Sequence, residues 1–205
     1  MCVILICPAR VRPDQSTLNA CHAANPHGAG VAWRDAGQVR WRKGLAPADL
    51  GEFIADLSGE IVIHFRWASV GRVTPQLCHP FPVSSRATTR LSGHARAVLF
   101  HNGTWPAWRR TLQGMPRQRV PEGELSDSRV AASLAALCGS NVLARLPGRY
   151  VFFGAHDTEV FGDWQRWKGM QASNLGFVAR LPRALSFSSS YTQSADRDTQ
   201  PYLPF

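Results

Sequence analysis

Cys2-Val3-Ile4-Leu5-Ile6-Cys7 follows Met1 directly and is stopped by Pro8. A short apolar run rich in strand-forming residues and ended by proline reads as a buried strand. Its first residue is a cysteine, and Met1 is expected to be trimmed before so small a neighbour, leaving thiol and free α-amine on one residue. An α-amine titrates at about pH 8, so near neutrality a useful fraction can take the thiol proton, directly or through a water. Nucleophile and base then meet without a histidine. Taken alone, Cys2 is equally well a core thiol at the start of a strand.

Downstream, Pro8 to Pro26 reads as loop. Gly28 to Trp33 and Gln38 to Arg42 flank the turn signal Asp35-Ala36-Gly37 and form a hairpin. Pro47 opens a helix whose Leu50, Phe53, Ile54 and Leu57 share one face and which ends at Ser58-Gly59. Glu60 to Arg66 is the next strand, Gly71 to Gly93 a long crossing loop rich in Pro, Ser and Thr, and Ala95 to Phe100 another strand. Helices are expected over Trp105 to Leu112 and Ser128 to Cys138, the second capped by Ser126 or Asp127 and stopped by Gly139. Between them, Gln113 to Gly123 reads as an exposed loop. Arg149 to Ala155 and Thr158 to Phe161 make a second hairpin around His156-Asp157, and Leu175 to Ser188 reads as further short strands. Strands grouped around a few helices, in 205 residues without a repeat, indicate an α+β layered fold forming a single domain over residues 1–205.

Three segments set polar groups at the ends of these elements. His64-Phe65-Arg66-Trp67-Ala68-Ser69-Val70-Gly71 leaves Arg66 at the end of a buried strand, where a guanidinium is costly unless it meets an anion such as a substrate carboxylate. Leu99-Phe100-His101-Asn102-Gly103-Thr104 ends a strand in Asn-Gly. That dipeptide is a common turn, and an Asn amide beside a Gly N–H is also a donor pair for an oxyanion. Leu125-Ser126-Asp127-Ser128-Arg129 opens the long helix, where Asp127 either caps it or holds a substrate ammonium.

In this order the segments resemble the glutaminase domain of class II glutamine amidotransferases, which are N-terminal-nucleophile hydrolases. The likeness runs from Cys2 to about Leu137, roughly two thirds of the chain. It comprises Cys2, then His64 to Gly71 on the pattern H-x-R-x-[AS]-[ST]-x-G, His79-Pro80-Phe81 in place of Q-P-F, His101-Asn102-Gly103, and Ser126-Asp127-Ser128 on the pattern S-D-[ST]. The resemblance implies a four-layer αββα sandwich, with Cys2 as nucleophile and its own amine as base. It further implies Arg66 on the glutamine α-carboxylate, Asp127 on the α-ammonium, Asn102 with Gly103 on the tetrahedral oxyanion, and His101 in the wall of the substrate pocket. Glutamine is charged at both positions of one end and neutral at its scissile amide. A cation, an anion and two neutral donors are therefore the set such a pocket requires. Three positions depart from the pattern: Val3 where many members carry Gly, His79 where a polar amide is usual, and Arg129 where Glu is usual. They bear on which amide is bound more than on the reaction. Gly148 to Phe153 matches the family's later core strand, and Ala172 to Leu175 is expected to line the site.

Composition narrows the remaining classes. The net charge of +9 is almost wholly arginine, since Lys43 and Lys168 are the only lysines. The arginines are spread along the chain, which favours a solvated basic surface over a nucleic-acid footprint. Five cysteines at positions 2, 7, 21, 78 and 138 follow no framework spacing, pointing to reduced thiols and a cytoplasmic protein. The chain has no apolar run of about 18 residues, and the stretch after Met1 is too short for a signal peptide, so no membrane association is expected. A zinc site drawn from Cys2, Cys7, Cys21, His22 and His27 lacks a paired C-x-x-C unit, and no metal or cofactor is expected. Neither G-x-x-x-x-G-K-[ST] nor G-x-G-x-x-G occurs. Released ammonia is thus expected to serve a separate synthase partner, met by Arg129 and the arginines near Trp108. The alternatives are a free-standing amidohydrolase acting on a γ-glutamyl or related amide, and a non-enzymatic binding protein with a basic surface.

Overall fold

Every residue of the first strand, β1 (Val3–Cys7), is buried, as its unbroken apolar run requires. The computed structural model describes residues 1–182. After β1 come α1 (Gln15–Ala24), β2 (Ala29–Asp35), β3 (Gln38–Leu45), α2 (Pro47–Ala55), β4 (Ile61–Phe65), β5 (Phe81–Pro82), β6 (Ser92–Ala95) and β7 (Ala97–Asn102). Then follow α3 (Trp108–Gly114), α4 (Asp127–Cys138), β8 (Arg149–Gly154), β9 (Thr158–Phe161), β10 (Gln165–Trp167) and β11 (Met170–Ala172). Seven strands form one sheet in the order β10-β11-β1-β4-β2-β3-β6, and four form a second in the order β5-β7-β8-β9. The pairings are antiparallel.

Strand alternation sorts the apolar side chains into three cores. Ile4 and Ile6 of β1 join Ala32, Trp41 and Val62 against Val98 and Phe100 of β7 and Val151 and Phe153 of β8, so the two sheets pack on each other. The intervening Val3, Leu5 and Cys7 face the other way, onto Leu18 and Cys21 of α1 and Leu50 and Ile54 of α2. Beyond the small sheet, Leu99 and Tyr150 meet Trp108 of α3 and Val130, Ala131 and Ala135 of α4. Each fully buried Leu, Ile or Val side chain contributes about 1.5–3 kcal/mol, which is what holds these short helices in place.

Helix α1 lies where the sequence reads as loop. The Asp14 carboxylate accepts the Thr17 N–H at 2.7 Å and caps it, while a face of Leu18 and Cys21 is enough to bury it. The late strands also differ from expectation. A hairpin of β10 and β11 closes one edge of the large sheet, and residues 178–180 form a 3₁₀ turn where strand was expected. The rest of that expected stretch, residues 183–188, lies outside the described residues. Helix α4 is as expected, with Ser126 as its cap. The register Val3↔Phe65 and Ala29↔Phe65 brings Cys2, Arg66 and Gly28 to one end of the sheet, and β7 ends there with Asn102.

Candidate active site

Cys2 precedes β1 and is buried, 7% exposed. The Trp67 N–H donates to its sulfur at 3.2 Å, the thiol donates to the Trp67 carbonyl at 3.4 Å, and the Asn174 amide donates to the Cys2 carbonyl at 2.7 Å. Burial pushes the thiol up, against the Trp67 hydrogen bond and the nearby positive charges of the N-terminus and Arg66, and the net shift is upward. The resting group is therefore a neutral thiol that needs a base before it can attack. Met1 stands exposed at the mouth, 74% accessible, with its peptide bond occupying the Cys2 nitrogen.

Arg66 follows β4, its own N–H donating to the Gly28 carbonyl at 2.9 Å. Its guanidinium is buried and donates to the carbonyls of Arg72 at 2.7 Å and Val70 at 3.0 Å, which folds residues 66–72 back over it. Carbonyls solvate a cation without neutralising it. Among the described residues no carboxylate lies in ion-pair reach of Arg66.

Asp127 is the first residue of α4 and carries a structural duty as well. Its Oδ1 accepts the Ser128 N–H at 2.9 Å and its Oδ2 the Trp105 N–H at 3.0 Å, tying the helix to the segment after β7. The nearest cationic candidate is His101, whose Nδ1 lies 3.9 Å from Oδ2 and 3.0 Å from Ser128 Oγ. Burial lowers the His101 pKa against the pull of Asp127, which favours the neutral imidazole. The His101 ring stacks on Tyr150 with centroids 4.3 Å apart.

Cys2, Arg66, His101, Gly103 and Asp127 line one narrow cleft of about 20 Å³, together with His79. Gly103 is tightly enclosed, because a Cβ there would stand 2.8 Å from Gly148 Cα and 3.0 Å from His101 Nε2. Asn102 does not line the cleft and sits beneath it. Its amide nitrogen donates to Ser173 Oγ at 2.8 Å, and that oxygen also accepts the Ile4 N–H at 2.9 Å. The second amide proton of Asn102 remains free. Behind the cleft, His64 is held down to about 3 and His79 well below its ordinary value, chiefly by burial. Both are neutral wall residues.

Two contacts at the site are not assigned from the sequence. Ser128 reads as part of the S-D-[ST] helix start and Trp105 as the start of a helix, with no contact assigned to either, yet one holds His101 and the other Asp127. Ser173 and Asn174 fall within the stretch expected to line the site, and they contact Asn102 and Cys2. Arg129 corrects an expectation. It is buried, not a partner-facing surface group, and donates to the carbonyls of Ala87, Arg86, Glu124 and Glu122, joining two loops.

By sequence, no protein-family profile matches the chain, and no curated protein does either. Among solved structures, the glutamine phosphoribosylpyrophosphate amidotransferase from B. subtilis, in complex with ADP and GMP, superposes with a TM-score of 0.56 at 20% identity. The chain has the fold of a glutamine amidotransferase. The match covers 84% of this chain and 42% of the amidotransferase. A second structure, described as the allosteric regulatory enzyme of purine biosynthesis, gives a TM-score of 0.50 at 22% identity over 78% of this chain and 35% of its own. The chain thus spans less than half the length of either protein. Among the described residues, no helix is long and apolar enough to cross a membrane, and no group of three or more His, Cys, Asp or Glu gathers to hold a metal.

Proposed function

We propose that the chain is a class II glutamine amidotransferase-like subunit that hydrolyses the glutamine side-chain amide and passes ammonia to a separate synthase partner. The observation that carries this is the meeting of a thiol, a guanidinium without an ion-pair partner among the described residues and a carboxyl group in one small cleft. The order of the three cores, helix pair to sheet to sheet to helix pair, supports the four-layer αββα arrangement in one domain.

Removal of Met1 frees the Cys2 α-amine beside its thiol. The amine takes the thiol proton as sulfur attacks the amide carbon. Arg66 holds the α-carboxylate and Asp127 the α-ammonium, which orients the scissile amide toward Cys2. The Gly103 N–H receives the oxyanion, and Asn102, whose side chain does not line the cleft, shares that role only by turning its amide toward it. The amine then returns its proton to the leaving ammonia, and water hydrolyses the thioester. His101, neutral and packed on Tyr150, forms the wall that fixes Asp127 through Ser128.

A second activity is favoured by one further feature. A cleft of about 260 Å³ lined by Met1, Cys2, Trp67, Ser69, Gly103 and Thr104 adjoins the thiol, with more room than ammonia needs. It suits a γ-glutamyl amide of a larger amine, hydrolysed without a partner. Release of ammonia from glutamine and of amine from a γ-glutamyl anilide, measured with and without candidate partners, separates the two. A subunit serving a synthase turns glutamine over slowly alone and accelerates about tenfold or more with its partner, roughly 1.4 kcal/mol of barrier. High kcat/KM on the anilide with no partner establishes the hydrolase, and no turnover of either amide under any condition removes both.

A further inference from the structure

We propose that a groove where the free edges of the two sheets meet is a binding site for a small phosphorylated ligand, separate from the Cys2 cleft. Strand β6 is the outer strand of the large sheet and β5 that of the small one. Between them lies a groove of about 380 Å³ that shares no lining residue with the Cys2 cleft. Its lining combines apolar Trp41 and Pro82 with the exposed cationic or ionisable side chains of Arg86, Arg90 and His94. No acidic residue lines it, and among the described residues neither arginine has an ion pair.

Two hydroxyls complete the donor set. Ser84 Oγ accepts the Ala87 N–H at 3.1 Å and Thr88 Oγ1 accepts the Arg90 N–H at 3.4 Å, so each retains its own O–H to donate. The loop carrying these groups is pinned from behind. Arg129 donates to the Ala87 and Arg86 carbonyls at 2.8 and 3.1 Å, and Ser133 Oγ to those of Ser84 and Ser85 at 3.1 and 3.3 Å. Two planar forks, an imidazole and two hydroxyls on a fixed loop offer more donors than one carboxylate can accept. They match the three acceptor oxygens and higher charge of a phosphate group.

Calorimetric titration of the full chain with inorganic pyrophosphate tests the site, alongside the double variant Arg86→Ala/Arg90→Ala. Both arginines are exposed, so the double variant is expected to keep the near-UV circular dichroism of the parent. The expected result is saturable one-to-one binding that the double variant weakens by at least about tenfold, the loss of charge-assisted contacts. Absence of saturable binding overturns the site, as does binding indifferent to the double variant, which would put the anion elsewhere. Tighter binding of a short single-stranded oligonucleotide or an acidic peptide, lost in the same variant, replaces the small ligand with a macromolecular one and also overturns the proposal.

Discussion

The two ends of the large sheet handle buried polarity in opposite ways. At the end away from Cys2, Arg34 donates to the carbonyls of Gly154 and Asp157 and to Thr158 Oγ1, pairs with Glu60 at 2.7 Å, and lies 4.2 Å over the Phe153 ring. Thr158 donates in turn to Glu60 at 2.7 Å. These groups serve each other and lock the small sheet to the large one. At the Cys2 end, His64 Nδ1, both ring nitrogens of His79, His101 Nε2 and Asn102 Oδ1 are buried without partners, five of the nine such atoms among the described residues. Each unpartnered buried polar group costs about 1–3 kcal/mol. Concentrating that cost around one cleft marks the end built to hold something other than the chain itself.

Substitutions at the two ends should therefore fail in different assays. The largest effect is expected at the cleft. Arg66→Ala and Asp127→Asn each lower kcat/KM on the amide substrate by about 1.5–3 kcal/mol or more, roughly 10-fold to over 100-fold. The asparagine removes the charge and keeps an oxygen for only one of the Trp105 and Ser128 N–H groups, so the role is read from the substrate side: equal hydrolysis by the parent of an amide lacking the α-amine would leave Asp127 as a helix cap. Next comes pH. His64 titrates at about 3 in the fold and at about 6.5 unfolded, so between these values the unfolded chain binds a proton that the fold refuses. Stability consequently falls as pH drops through that window, by up to about 1.4 kcal/mol per pH unit for each histidine so held, His79 included. His79→Gln is expected to reduce the slope of urea midpoint against pH, and an unchanged slope would separate His79 from the effect. The smallest change is expected at the far end. Arg34→Ala lowers stability by about 1–2 kcal/mol, modest because the ion pair is partly exposed, and leaves kcat/KM where it was. A fall in kcat/KM there would dissolve the contrast between the ends.

Legibility from sequence followed the same division. Strands with unbroken or alternating apolar patterns, such as β1, β3 and β4, were readable because burial alone specifies them. Helix α1 was hidden because its buried face is narrow and its cap, Asp14, sits in a stretch that looks like loop. The β10–β11 hairpin was hidden because its strands are three residues long, with exposed Gln165, Arg166 and Gln171, and gain their place by pairing onto β1. At the site, strand and helix ends located Arg66, Asp127 and Gly103, since a charged or glycine residue at a buried terminus is locally conspicuous. Contacts between distant segments were not locally encoded. Ser173 receiving both Ile4 and Asn102, and Arg129 turned inward onto four carbonyls, depend on how the two sheets and α4 come together.

The role of Cys2 is tested most directly by mass spectrometry of the purified protein before and after exposure to a glutamine-like diazoketone. Mature protein lacking Met1 and carrying one covalent adduct on Cys2, with a Cys2→Ala variant that folds normally, takes no label and hydrolyses no amide, is the expected result. Undiminished hydrolysis by Cys2→Ala, or an adduct on another residue, would contradict it.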